Sequence, residues 1–218
     1  MPELITLTLE NYGAAPKQEV WDRRWFDGIK RIMDVVLGAA ALMILFPVIL
    51  VCALVIKLSS RGPAFYQQLR IGKDGKPFMM YKLRTMYDNA EARTGAVWAS
   101  DNDPRVVATC RWMRRGHFDE LPQLFNVLKG EMSLVGPRPE RPEIIKKLET
   151  IYPNISRRLA VRPGITGLAQ IRNGYDKTIE STRWKLDADL EYIHYRRLGL
   201  ELRILMATLP KFNDKSAH

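Results

Sequence analysis

The chain has 218 residues, which suits one domain with room for an appended anchor. Lysine and arginine outnumber aspartate and glutamate by 34 to 24, a net charge of +10 that favours nucleic acid, anionic lipid or phosphorylated substrates without choosing among them. Two cysteines, Cys52 and Cys110, are too few for a disulfide framework, and Cys52 lies in an apolar run. A reducing compartment is therefore indicated. The first residues carry no basic-then-apolar leader with a cleavage site, so secretion is not indicated.

An uninterrupted apolar run dominates the N-terminal part of the chain. Residues 1–27 are mixed in character and predict a surface segment with a short helix around Val20 to Phe26. Val35 to Ile56 follows without a single charge, which is long enough for a helix that crosses a bilayer. Pro47, preceded by Phe46, falls in the middle and removes a helical N–H, so we expect the helix to break there.

The apolar run has basic residues on both sides. Lys30 and Arg31 precede it, and Lys57 and Arg61 follow it. A helix that crosses the membrane would concentrate positive charge on its cytoplasmic side. Equal flanks instead favour a helix that enters the bilayer, breaks at Pro47 and returns to the same face. A proline-kinked single span remains the alternative, because the difference in charge is small.

A basic β-hairpin is predicted next. Ala64 to Arg70 alternates loosely, Asp74-Gly75 is a hairpin turn signal, and Pro77 to Met86 resumes an extended pattern. Tyr87 to Asp103 predicts a polar loop, and Pro104 to Arg115 predicts a short basic amphipathic helix. Composition alone favours a solvated hairpin surface for its basic residues. These are Arg70, Lys73, Lys76, Lys82 and Arg84.

Two adjacent carboxylates, Asp119 and Glu120, are the central candidates for chemistry. Pro122 suits the first turn of a helix that continues to Lys129, and Gly130 is a natural stop. The pair would then lie at a helix N-terminus, where phosphate gathers while one carboxylate attacks and the other holds a metal. Ordinary capping of a helical turn is the alternative. The basic side chains just upstream are Arg111, Arg114, Arg115 and His117.

Two arginines lie in stretches stiffened by proline or glycine. Prolines flank Arg138 on both sides, which excludes a helix and restricts the backbone that presents the guanidinium. A rigid arginine suits bidentate phosphate binding, and a structural salt bridge fits equally well. Arg162 heads a loop interrupted by Pro163, Gly164 and Gly167. The two arginines are thus candidate phosphate ligands.

Helices are predicted for most of the C-terminal part. Their ranges are Glu140 to Thr150, Asn154 to Val161, Lys177 to Arg196 and the amphipathic stretch Leu198 to Leu209. The residues from Lys211 predict a flexible tail. The third helix carries three acidic residues that suit a charged solvent face, Asp187, Asp189 and Glu191.

Six stretches, in order between about Gly28 and Leu209, resemble the bacterial sugar-transferase family of monotopic phosphoglycosyl transferases. Any one of them would be a weak signal, whereas six in order are highly specific. They are Lys30-Arg31-x-x-Asp34, Phe65 to Gly72, Tyr81 to Met86, Asp119 to Gly130, Met132 to Pro139, and Arg162 to Gln170.

The resemblance implies a mainly α fold with a small β-hairpin, in the α+β class. We expect a proline-broken re-entrant membrane helix over residues 28–60 and a cytoplasmic catalytic domain over 61–210. Interfacial amphipathic helices would surround that domain. Residues 1–27 would form an N-terminal surface segment, and 211–218 a flexible tail.

The resemblance also implies a reaction, in which a sugar phosphate moves from a UDP-sugar to polyprenyl (undecaprenyl) phosphate and UMP is released. Asp119 would be the nucleophile that forms a phospho-sugar ester in a ping-pong mechanism, and Glu120 would bind Mg²⁺. The expected setting is the cytoplasmic face of a bacterial inner membrane, at the start of glycan or exopolysaccharide assembly, with membrane lipid but no nucleic acid as a partner. The predicted substrate-binding residues are Lys82, Arg84, Arg114, Arg138, Arg162 and Asp189.

The chain departs from the family pattern at three points. It has His117-Phe118 where many members have Ser-Leu, Cys110 where glycine is usual, and Phe46 where serine often precedes the helix-breaking proline. These leave the chemistry intact. Two rival hypotheses remain: a membrane-anchored basic domain that binds lipid or nucleic acid without catalysis, and a metal-dependent hydrolase that uses the same carboxylates. No motif identifies the sugar, the glycan pathway or the oligomeric state.

Overall fold

A computed structural model describes residues 24–88, 90, 103–173 and 179–210. Most of the surface helix expected from Val20 to Phe26, most of the polar loop before Asp103 and the tail from Lys211 lie outside these residues. The last three residues of that expected helix, from Arg24 to Phe26, begin the long apolar helix instead. The described part is mostly helical with a small β-hairpin, as predicted. Its elements are α1 (Arg24–Ser59), β1 (Phe65–Ile71), β2 (Pro77–Leu83), α2 (Arg111–Arg115), α3 (Gln123–Lys129), β3 (Ser133–Val135), α4 (Pro142–Glu149), β4 (Gly164–Thr166), α5 (Leu168–Asn173), α6 (Ile179–Tyr195) and α7 (Leu198–Thr208).

The apolar run forms α1, a helix of 36 residues that continues through Pro47. The expected interruption at Phe46 and Pro47 is therefore not confirmed. By length and composition α1 could cross a membrane, and only 17% of its most apolar stretch is buried inside the protein. Its outer face exposes large apolar side chains, namely Val36, Met43, Ile44, Leu50, Val51, Leu54 and Leu58.

The inner face of α1 packs against the rest of the protein from one end to the other. Ile49, Cys52 and Ile56 are buried in a cluster with side chains of β2 and of the segment before α2. In the first half of α1, a Cβ on Gly38 would lie 3.3 Å from Val127, so α1 and α3 approach closely there. One domain therefore contacts both halves of the apolar helix.

The basic residues at the start of α1 point into the protein. Lys30 is 8% exposed and forms ion pairs with Glu201 at 2.5 Å and Asp34 at 3.6 Å. The Arg31 guanidinium donates to the Val127 and Leu128 carbonyls at 2.6 and 2.8 Å, at the end of α3. Because both charges serve internal contacts, they say little about membrane topology. The topological argument from equal basic flanks therefore loses its two N-terminal charges.

The hairpin is confirmed, together with its turn. β1 and β2 pair antiparallel, from Phe65 opposite Leu83 to Ile71 opposite Pro77. Asp74 takes the left-handed conformation (φ 56°) in the connecting turn, which aspartate tolerates better than most residues. The second strand ends at Leu83, whereas the sequence predicted an extended segment as far as Met86.

The amphipathic helix predicted from Pro104 to Arg115 is wrong in its first half. Val106 instead forms an isolated antiparallel bridge with Met86, and the Val107 N–H donates to the Thr85 carbonyl at 2.9 Å. Helical structure begins with a 3₁₀ turn at Ala108–Cys110 and continues as α2. The sequence predicted that the two valines form the apolar face of a helix, but they are buried by pairing with the chain after β2.

The helices after Glu140 are confirmed in type, with one difference. The segment expected to be α-helical after Asn154 is a 3₁₀ helix, Ile155–Ala160. The helix predicted from Lys177 is α6, and the amphipathic stretch that follows it is α7.

A second, parallel sheet joins the two loops that carry the stiffened arginines. Ser133 in β3 pairs with Gly164 in β4, and Val135 pairs with Thr166. The backbones meet at Gly136, where an added Cβ would lie 2.4 Å from the Arg162 carbonyl oxygen. Only glycine permits this approach. The pairing brings the Arg138 and Arg162 loops side by side.

Candidate active site

The acidic pair is presented by a short irregular segment between α2 and α3. His117 adopts a left-handed conformation (φ 53°), and a 3₁₀ turn, Phe118–Glu120, follows it. Gly116 makes room for the Phe118 ring, which an added Cβ would meet at 2.4 Å. This kink ends α2 and turns both carboxylates toward the hairpin and the segment after β3, so the departure His117-Phe118 is accommodated locally.

Glu120 is held by two cations from different elements. Lys82 Nζ, on β2, donates to Glu120 Oε1 at 2.7 Å. Arg138, just after β3, donates from Nη1 to Oε2 at 3.0 Å and from Nη2 to Oε1, which is a bidentate pair. Burial alone would raise the pKa of Glu120, but the Arg138 and Lys82 charges hold that pKa well below its usual range. Glu120 is therefore ionised.

Asp119 has the opposite environment. It is 7% exposed, and within the described residues its carboxylate has no hydrogen-bond or ion-pair partner. Burial raises the pKa of Asp119 to about 6; Lys82 opposes this shift, and the neighbouring Glu120 charge adds to it. At neutral pH Asp119 is mostly anionic yet poorly solvated, which is the state a carboxylate nucleophile needs.

The remaining groups around the pair are basic or neutral. Arg114 donates from Nη1 to Thr85 Oγ1 at 3.4 Å, and its charge lowers the pKa of Asp119. Burial lowers the pKa of His117 from its ordinary value near 6.5, so its imidazole is neutral at neutral pH. Among the described residues, the site thus places positive charge around a carboxylate, that of Asp119, to which none of them bonds.

Of the predicted site residues, the structure brings Lys82 and Arg138 into contact with Glu120, with Arg114 close enough to affect Asp119. Lys82 lies on the hairpin, Arg138 on the segment after β3, and Arg114 on α2. The salt bridge anticipated as the alternative for Arg138 is present, with Glu120 as its partner. Glu120 does not act as an ordinary helix cap, because its carboxylate binds these cations.

Three other predicted substrate-binding residues make contacts within the protein. Arg84 donates to the Arg61 and Ser60 carbonyls at 2.5 and 3.2 Å and thereby caps the end of α1. Arg162 donates from Nε to the Gly130 carbonyl at 2.9 Å, at the end of α3. Asp189, 1% exposed, pairs with Arg158. Their contacts to substrate stay predictions.

The sequence reasoning missed two arginines that support the site from behind. Arg158 Nη2 donates to the Arg138 carbonyl at 2.9 Å, and Arg70 Nη1 donates to the Pro139 carbonyl at 3.0 Å. Arg70 belongs to the basic hairpin, which read as a solvated surface. Arg158 has no distinguishing local pattern, and only the tertiary fold brings it to the loop.

A bound metal is compatible with these donors, although the described residues contain no cluster of three or more acidic, histidine or cysteine ligands. Mg²⁺ is commonly held by one or two carboxylates together with substrate phosphates and water. Asp119 and Glu120 are two such carboxylates, although Glu120 would bind the ion only with an oxygen that Lys82 or Arg138 releases. They fit a magnesium ion that binds together with a diphosphate rather than one caged by protein alone.

Comparison with known proteins gives a family match over most of the chain. Residues 25–215 match the family model described as bacterial sugar transferase. A UDP-glucose:undecaprenyl-phosphate glucose-1-phosphate transferase of Caulobacter vibrioides is 40% identical over 217 residues, covering 96% of this chain and 76% of the relative. The exopolysaccharide production protein PSS of Rhizobium leguminosarum bv. phaseoli is 37% identical, covering 83% of this chain and 93% of the relative.

A third relative acts on a different sugar. The UDP-N-acetylgalactosamine-undecaprenyl-phosphate N-acetylgalactosaminephosphotransferase of Aeromonas hydrophila is 41% identical over 181 residues. The match covers 83% of this chain but only 43% of that relative, so the chain spans less than half of its length. Relatives with similar sequence identity to this chain therefore differ in the sugar that their names specify.

Proposed function

The chain belongs to the bacterial sugar transferase family, and from that membership together with the geometry around Asp119 we propose that it moves a sugar phosphate from a UDP-sugar to polyprenyl phosphate. UMP is the other product of the first half-reaction. The named relatives support the class of donor and acceptor, and their differing sugars leave the sugar itself open.

One observation carries the mechanism: two adjacent buried carboxylates have opposite environments. Glu120 is fixed by Lys82 and Arg138, whereas Asp119 has no partner among the described residues. The charges of Lys82 and Arg114 favour the anionic form of Asp119, yet no described residue bonds to its carboxylate oxygens. An acid that must form and break a bond to phosphorus needs the freedom that Asp119 has.

In the first step, an Asp119 carboxylate oxygen attacks the phosphorus that bears the sugar. A new oxygen–phosphorus bond forms, the bond from that phosphorus to the UMP oxygen breaks, and the electron pair leaves with UMP. Attack of an anion on a diphosphate is opposed by charge repulsion, which the nearby cations offset. Arg138 and Lys82 are placed to exchange part of their contact with Glu120 for donor oxygens.

In the second step, an oxygen of polyprenyl phosphate attacks the same phosphorus and Asp119 leaves as a free carboxylate. The acyl phosphate is reactive enough to pass its group onward. Two successive displacements let one small site serve a soluble donor and a lipid acceptor in turn.

We propose Mg²⁺ as the cofactor, with Glu120 as its protein ligand and diphosphate oxygens completing the set. When bound, it would neutralise charge on the diphosphate and on the departing UMP. Glu120 is suited to this because its pKa is held well below the usual range, so the carboxylate stays ionised.

We propose that α1 anchors the protein from one side of the membrane. Support comes from the two ends of α1, since Arg31 near its start and Ser60 just after its end both bond to the same domain. A helix spanning the bilayer would have its ends on opposite faces. Gly28→Cys and Arg61→Cys, at exposed positions near the start and just after the end of α1, should both react with a membrane-impermeant maleimide from the cytoplasmic side. Labelling from opposite sides would contradict this topology.

The reaction is tested with the purified full chain in lipid nanodiscs, polyprenyl phosphate and a panel of UDP-sugars. We expect UMP release and a lipid-linked sugar diphosphate with at least one donor, and loss of both in Asp119→Asn. Asp74→Asn is the matched control, because Asp74 is an exposed turn residue whose left-handed backbone asparagine also accepts.

The same assay separates the rival functions. Sugar phosphate released to water without a lipid product would indicate a hydrolase. Polynucleotide binding that weakens with salt, without turnover of any UDP-sugar, would indicate a basic binding domain. Several arginines that raise the net charge are enclosed by internal contacts, Arg84 and Arg158 among them, so they add little to an open basic surface.

A further inference from the structure

The segment that presents Arg138 is held at almost every carbonyl. The Val135 carbonyl accepts from Tyr192, the Pro137 carbonyl from the Gly164 N–H, and the Glu140 carbonyl from the Ile71 N–H, at 3.1, 2.9 and 3.0 Å. Prolines at 137 and 139 have no N–H, so this segment cannot pair as an ordinary strand. Its two central carbonyls therefore need donors from elsewhere.

Two arginine side chains supply those donors. Arg158 reaches the Arg138 carbonyl and Arg70 reaches the Pro139 carbonyl, at 2.9 and 3.0 Å. Arg158 is itself oriented by Asp189, which accepts from Nε at 3.0 Å and from Nη2 at 2.6 Å. Arg158 is 7% exposed and Asp189 is 1% exposed, so the pair is sealed from solvent.

We propose that Arg158, oriented by Asp189, is a positioning residue for Arg138. It fixes the backbone whose side chain grips Glu120 and, in the proposed reaction, the donor diphosphate. Asp189 thus acts through Arg158 and not as a substrate ligand. The inference rests on the proposed function only for the part that concerns turnover; the placement of the segment is independent of it.

A merely structural ion pair would not need this arrangement. The guanidinium uses Nε and Nη2 on one carboxylate oxygen while Nη2 also serves a carbonyl, which a planar fork can do and an ammonium cannot. Arg158→Lys therefore keeps the positive charge opposite Asp189 and loses the fork. Arg172→Lys is the matched control, because Arg172 pairs with Glu191 on the same helix as Asp189.

The experiment measures kcat/KM for the UDP-sugar in nanodiscs, with thermal melting as a check on folding. We expect Arg158→Lys to lower kcat/KM by about 10- to 100-fold, since a displaced catalytic cation has effects of that order. Arg172→Lys should stay within about twofold of the parent protein. In an Arg138→Ala background, Arg158→Lys should add less than about twofold, because its target is already gone.

A readout without turnover completes the test. In substrate-free protein, the Gly164 and Ile71 amides, which donate to the Pro137 and Glu140 carbonyls of the segment, should exchange with deuterium faster in Arg158→Lys than in Arg172→Lys. Equal exchange in the two variants, or the same loss of kcat/KM with and without Arg138, would overturn the proposal. If the parent protein turns over no UDP-sugar, the proposed function fails, while the exchange comparison still decides whether Arg158 fixes the segment.

Discussion

Replacing Gly136 with alanine tests whether the close contact of β3 and β4 sets the site. The added Cβ would lie 2.4 Å from the Arg162 carbonyl oxygen and 2.9 Å from the Gly164 nitrogen. Both are backbone atoms, so no side-chain rotation relieves the clash and β4 must move. Overpacking of this kind costs roughly 1–3 kcal/mol. At about 2–4 °C per kcal/mol for a chain of this size, the melting temperature should fall by roughly 2–12 °C.

The same substitution should also lower turnover, because the Gly164 N–H in β4 donates to the Pro137 carbonyl next to Arg138, so a shift of β4 disturbs the segment that presents Arg138. The assay is thermal melting in nanodiscs alongside UMP release. Gly199→Ala is the control: Gly199 lies in α7 and an added Cβ meets nothing within 4 Å. It should raise stability by up to about 1 kcal/mol, as expected for glycine to alanine in a helix. Equal melting temperatures for the two variants would refute the reasoning.

Two further substitutions probe the charges of the fold. Lys82→Met removes a cation that binds Glu120 Oε1 and should lower kcat/KM, measured as UMP release, by about 100-fold. Activity near that of the parent protein would count against electrostatic stabilisation of the reaction by Lys82. Lys30→Met leaves the buried Glu201 and Asp34 without their shared cation and should cost about 3–5 kcal/mol in thermal or denaturant unfolding. The triple variant Lys30→Met/Asp34→Asn/Glu201→Gln removes both stranded charges, keeps an acceptor for the Tyr192 hydroxyl and should recover much of that loss. No recovery would show that the ion pair is not the cause.

Local patterns were enough to predict the hairpin and most of the helices. Asp74-Gly75 marks a turn through its own backbone preference, and the apolar run of α1 needs no partner to be recognised. The adjacency of Asp119 and Glu120 is given by the sequence itself. The different states of the two carboxylates are not, because they depend on Lys82 and Arg138, which are distant along the chain.

Features that depend on contacts between residues far apart along the chain were missed. β3 and β4 have three residues each and read as loops, since their pairing shows only when the glycines meet. Lys30 read as a flanking charge of a membrane segment, although it is buried against Glu201. Asp189 read as part of a solvated helix face, whereas it is sealed with Arg158. For both of these charged residues, the local sequence pattern is the same whether the side chain is exposed or buried in an ion pair.

The covalent role of Asp119 is tested most directly by the intact mass of the protein after incubation with a UDP-sugar donor in the absence of polyprenyl phosphate. We predict a mass gain of one sugar phosphate, located on the peptide that contains Asp119, with a matching burst of UMP. The adduct should disappear when acceptor is added and should be absent in Asp119→Asn. An unmodified protein that releases UMP only after acceptor is supplied would contradict the covalent mechanism.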